Sequence, residues 1–139
     1  MLSRSKMLVF VGLGLVFWLS GVLLIRLGGA GLFTAESPLL IGVYAAAFPL
    51  LYLSLLIASA ISRVPLQKML EPTVIMTFSA IFVDGAVIAW LPQLYGDTTV
   101  HVMHGAAWLL WGAAAGLLIA WVLTWRGNTV KAEHPESIE

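Results

Sequence analysis

The sequence predicts an all-α integral membrane protein, a four-helix bundle with both termini in the cytoplasm, and three observations carry that expectation. Hydrophobic residues make up 60% of the 139 and charged residues 10%, with a mean hydropathy of +0.98. Soluble domains hold roughly half apolar and a quarter charged residues, so this balance belongs to a chain that lives in lipid. Four apolar runs, at 7–27, 39–61, 73–91 and 102–125, reach the roughly 20 residues that a helix rising about 1.5 Å per residue needs to cross a bilayer core. Six of the seven Lys and Arg residues fall on one side of the resulting hairpins, which sets orientation.

The first run follows Arg4 and Lys6. Its apolar core is longer than the roughly seven to fifteen residues of a secretory signal, so it is expected to be a retained span. Gly28, Gly29, Ala30 and Gly31, then Glu36, Ser37 and Pro38, punctuate the chain before the second run. That run contains Pro49, which should kink it and free a carbonyl one turn back. Arg63, Pro65, Lys68, Glu71 and Pro72 break the chain before the third run, and Pro92 to Thr99 break it before the fourth. One domain over 1–126 is expected, followed by a polar, disordered cytoplasmic tail over 127–139. Arg4 and Lys6, Arg63 and Lys68, and Arg126 and Lys131 share the cytoplasmic side. The opposite side carries Glu36, Asp97 and His101.

Composition also excludes classes of function. The chain has no cysteine, which removes disulfides, thiolate metal sites, iron–sulfur clusters and thiol redox chemistry. Net charge is zero and the cations are scattered, so no nucleic-acid surface is expected. The spans use almost the whole length and leave no room for a soluble module.

Asp84 is the residue that asks for an explanation. A carboxylate inside a membrane helix costs about 2.5–3.5 kcal/mol on insertion scales and needs a partner, a proton or a task. Arg26, the one basic residue embedded in the first run, should lie at similar depth in the outer leaflet, as should His104 and His101. Three readings follow. Arg26 and Asp84 form a buried structural ion pair that fixes helix register, or they belong to a polar pocket in which a histidine exchanges protons. Alternatively Arg26 snorkels to headgroups and leaves Asp84 protonated. Thr73, Thr77 and Asp84, at spacings of four and seven, share a helix face and extend a polar stripe inward.

His101 and His104 stand three apart, a metal- or haem-ligand spacing, but further ligands are not evident and no other span has an imidazole. No metal site and no cofactor are expected, and local packing is the plainer reading of both. Trp90 and Trp125 sit at span ends as interfacial anchors, while Trp18, Trp108, Trp111 and Trp121 lie deeper, where indoles usually pack. Gly112 and Gly116, in a run of small residues, form a flat strip for helix packing, and Ser54, Ala58 and Ser62 form a similar one. Either strip serves the bundle itself or a homo-oligomer.

Trp18 ahead of Arg26, Leu27, Gly28 and Phe33, with Asp84 late in the third span and Trp108, Leu109, Leu110 and Trp111 opening the fourth, resembles the pattern of a family of small bacterial four-helix membrane proteins, domain of unknown function 5367. The resemblance extends from the first span to the fourth. It implies a four-helix bundle in a bacterial cytoplasmic membrane with no assigned activity, and it marks Arg26 and Asp84 as family features without supplying their chemistry. Small multidrug exporters carry an acidic residue in the first span, which has none here. Thiol-oxidising quinone enzymes need cysteines, and glutathione-transferase-like membrane enzymes need more polar residues at helix ends. An enzyme is not expected. The favoured expectation is a non-enzymatic accessory or scaffolding bundle, with membrane lipid and a homo-oligomer or larger membrane complex as partners. The alternative is a small oligomeric transporter or proton-coupled permease that uses Asp84.

Overall fold

The computed structural model describes residues 2–133, with side chains over 2–129, and among these the chain is helical with no strand. Four helices, each long and apolar enough to cross a membrane, alternate in direction: α1 (Arg4–Leu32), α2 (Leu40–Ser62), α3 (Leu70–Trp90) and α4 (Thr99–Glu133). Two single 3₁₀ turns, Leu66–Lys68 and Pro92–Leu94, shape the second and third connections.

Local chemistry explains the helix boundaries, including those that differ from expectation. Ser3 caps α1 by accepting from the Lys6 amide at 3.4 Å. The helix continues beyond residue 27 but breaks direction at Gly29, whose φ of 69° lies in the left-handed region. That bend turns Phe33 back into the core. α3 begins before residue 73, because Pro72 sits in its first turn, where backbone amides have no helical acceptor to lose. α4 starts at Thr99, with the Thr98 hydroxyl accepting from the His101 amide at 3.2 Å. Its far end passes through Gly127 to Glu133. A break after residue 126, expected from the polar composition, is therefore corrected: a Cβ at Gly127 would meet Gln67 Cβ at 2.7 Å, so this glycine is a contact point with the Leu66–Lys68 turn. The remainder of the expected tail, 134–139, lies outside the described residues.

Around the bundle, α1 packs along α3, α3 along α4, α4 along α2, and α2 returns to α1. A close backbone approach joins α1 to α3, where a Cβ on Gly14 would lie 2.5 Å from the Met76 carbonyl oxygen. Two apolar clusters fill the interior. One holds Phe10, Leu55, Met69, Met76 and Ala120, toward the end with the chain termini. The other holds Ile25, Phe33, Tyr95, Val102 and Trp108, toward the opposite end. Large aliphatic and aromatic side chains such as Leu27, Ile41, Phe82 and Trp90 point outward, the arrangement expected where the surroundings are lipid tails.

Candidate functional site

Between the two clusters lies a cavity of about 350 Å³ to which all four helices contribute. Trp18 comes from α1, Leu51 and Ser54 from α2, Met76, Thr77 and Asp84 from α3, and Trp108 from α4. Its walls are mainly apolar, and Asp84 supplies their one carboxyl group.

Asp84 is half-buried, and its Oδ1 accepts two hydrogen bonds. The Trp18 indole Nε1–H donates to it at 2.7 Å, and the Tyr95 hydroxyl donates to it in a short contact. The same indole N–H lies 3.0 Å from the Tyr95 oxygen, so the three groups close a triangle. Among the described residues nothing bonds the second carboxyl oxygen, and no buried side-chain polar atom is left without a partner. Oδ2 is therefore accessible, and Asp84 lines the cavity.

Tyr95 belongs to the connection between α3 and α4, yet it is 0% exposed. The Pro92–Leu94 turn folds this connection back over the bundle and sends the phenol inward. Burial first, and then the hydrogen bond to Asp84, push the Tyr95 hydroxyl well above its ordinary range, so it stays a neutral donor.

Arg26 does not pair with Asp84, which corrects the expected buried Arg–Asp pair. Its Nη1 donates to Asp97 Oδ1 at 2.8 Å and to the Gln93 carbonyl at 2.9 Å. Both side chains are open to the surroundings, at 42% and 83% exposure. Arg26 thus clamps the connection that carries Tyr95, and its charge is spent there. The physical reason is reach: the outer end of α1 lies level with the loop, and Asp84 sits about 9 Å below the end of α3 at 1.5 Å per residue.

The two histidines separate in role. His101 is 4% exposed. Its Nε2 donates to the Ile25 carbonyl at 2.9 Å, which fixes the tautomer, and its ring stacks on Phe33 and covers Gly96. It ties the start of α4 to α1. His104 is half-buried and makes no side-chain hydrogen bond among the described residues. Neither bonds to Asp84, so the ionisable groups expected to converge form two systems: an outer clamp of Arg26 with Asp97, and an inner triangle around Asp84.

Thr77 lines the cavity, and its hydroxyl has no partner among the described residues. Thr73 instead returns its hydroxyl to the Met69 carbonyl at 2.6 Å. The small-residue strips face inward. Gly116 packs toward Leu51, but Gly112 meets nothing within 4 Å and opens onto the cavity, so its expected packing role is corrected to a space-making one. Ala58 and Ser62 are buried in the bundle. Of the α4 indoles expected to pack at depth, Trp108 is tied to the Val43 carbonyl of α2 at 3.1 Å and Trp111 to the Tyr44 carbonyl at 3.2 Å, whereas Trp121 is exposed.

The family of unknown function DUF5367 matches residues 32–127, well over half of the chain. The protein belongs to DUF5367. The matched stretch takes in Phe33, Asp84, Tyr95, His101 and Trp108, whereas Trp18 and Arg26 precede it, so the likeness is narrower than the span-one-to-span-four resemblance expected. The search of curated proteins and that of solved structures both return no match. Tyr95, within the DUF5367 stretch, is the site residue that sequence reasoning missed. A proline followed shortly by buried-type residues in a connection, Pro92 to Tyr95, is the signal that a loop re-enters the fold.

Proposed function

We propose that this DUF5367 protein is a non-enzymatic, multi-pass membrane protein that binds a small molecule inside its helix bundle, the binding step of a small permease, with Asp84 as the polar anchor. One observation carries the reading: Asp84 lines a mainly apolar cavity with one carboxyl oxygen bonded and the other free. The volume of about 350 Å³ lies at the lower end of the roughly 300–1,000 Å³ of small-molecule sites. The favoured expectation of a scaffolding bundle drew on a buried Arg26–Asp84 pair and on small-residue strips available for lateral contact. With Arg26 on Asp97 and both strips turned inward, it loses that support.

The setting is a cytoplasmic membrane of a bacterial cell with both termini inside. The distribution of Lys and Arg supports that orientation, together with the pairing of the α4 end with the α2–α3 connection at one end of the bundle. Lipid covers the apolar outer faces.

The test is a thermal-stability screen of small amphiphiles against the purified protein and Gly112→Leu, which fills the cavity from a position where a side chain meets no neighbour. A saturable stabilisation of the native chain that the variant lacks is expected. If no compound separates the two proteins, the cavity is not a ligand site.

A further inference from the structure

We infer that the cavity takes an organic ammonium ion carrying an apolar body, its N–H donating to the free oxygen of Asp84. This rests on the reading of the cavity as a ligand site and names its ligand class. Four features converge. The Asp84 carboxyl group faces a cavity with no lysine, arginine or histidine in its lining, and Arg26, the nearest candidate in the sequence, is engaged with Asp97. A counter-charge for an ionised Asp84 would therefore have to arrive with the ligand. Trp18 and Tyr95 occupy Oδ1 and leave Oδ2 as an acceptor, which suits a donor and repels a second acceptor or an anion. Phe17, Trp18 and Trp108 add aromatic walls, and aromatic ring faces attract cations. Beyond Asp84 the polar groups are hydroxyls, Ser54 and Thr77 among them. Hard inorganic cations take six or more oxygens and would find too few, whereas an apolar body is matched along the rest of the wall.

The test compares phenylbutylamine, which is a cation at neutral pH as lysine is, with the uncharged isostere phenylbutanol, by dose-dependent thermal shift of the full chain in one detergent. Asp84→Asn and Gly112→Leu are run alongside, the latter reporting what detergent partitioning alone contributes. The amine should saturate at concentrations about tenfold or more below the alcohol, as a charge-assisted bond adds to the shared apolar contact. Asp84→Asn should abolish that preference, and Gly112→Leu should abolish both responses. Equal affinity for amine and alcohol overturns the ligand class and leaves the cavity as an apolar site. An amine preference that persists in Asp84→Asn overturns the assignment of Asp84. No saturable response to either compound, or one retained by Gly112→Leu, overturns the cavity reading as well. Should Asp84→Asn fail to fold, the amine–alcohol comparison on the native chain decides the class by itself.

Discussion

Replacing Gly14 by alanine should destabilise the protein although alanine is the better helix former. A Cβ at residue 14 would sit 2.5 Å from the Met76 carbonyl oxygen, 2.9 Å from its Cα and 3.1 Å from its carbonyl carbon. Close carbon–oxygen contacts between helices settle at about 3.3–3.6 Å. The two backbones must then part by the better part of an ångström, because no flexible side chain is there to yield. Gly12 on the same helix is the control, since a Cβ there meets nothing within 4 Å. Both substitutions gain about 1 kcal/mol of helix propensity, so that gain cancels in their comparison. What remains is the overpacking cost at residue 14, about 1–3 kcal/mol. Unfolding of the two variants side by side in one detergent measures it. The separation of α1 from α3 should also loosen the Trp18–Asp84 bond, one turn above Gly14 and two turns above Met76, and so weaken ligand-induced stabilisation. If Gly14→Ala proves as stable as Gly12→Ala, α1 and α3 do not approach through this glycine and the placement of Trp18 against Asp84 loses its basis.

Two further outcomes follow from the outer clamp and the inner triangle. Arg26→Gln and Asp97→Asn should each cost no more than about 1 kcal/mol, since the pair is exposed, and a double-mutant cycle should show a coupling that fades in high salt; a large salt-independent coupling would mean that the pair is buried. Tyr95 holds its proton more tightly folded than unfolded, so its contribution to stability is complete below the ordinary tyrosine pKa of about 10 and declines as pH rises beyond it. The stability difference between the native chain and Tyr95→Phe, followed by denaturant titration across alkaline pH, should be constant below that value and shrink above it. A difference that grows with pH would reverse the sign of the argument.

The class of fold was legible because lipid imposes it. Composition and run length leave few alternatives to four spanning helices, and four helices long and apolar enough to span appear. Boundaries were less legible where one residue type serves two purposes. Pro72 reads as a break and is a first-turn residue, while Gly127 reads as a stop and is a packing contact. Asp84 was legible as a residue needing an explanation, since a carboxyl group in an apolar run has few bland ones. Its neighbours were not. Depth along a helix can be counted from sequence, but the direction a side chain takes around the helix and the path of a connection cannot. Arg26 and Asp84 therefore looked paired on one coordinate, while Asp97, in the loop beside the end of α1, was the nearer partner in space. Tyr95 had no periodicity to mark it, because a re-entrant loop repeats at neither 3.6 nor 2 residues.

The distinction between a joint and a site rests on how Asp84 is satisfied. A carboxyl group retained only to hold helices together is best served when both oxygens are bonded and a cation lies against it, because each unmet demand in hydrocarbon costs free energy. Here α1 and the α3–α4 connection each send one neutral donor, and both donors reach the same oxygen. Arg26, the cation best placed to complete a joint, is turned outward to hold that connection in place. Gly112 lines the same cavity and meets nothing within 4 Å, so a larger residue there would begin to fill it. Helix packing alone does not call for an unbonded carboxyl oxygen beside an open space, and the proposed ligand, which donates a hydrogen bond and brings an apolar body, would use both.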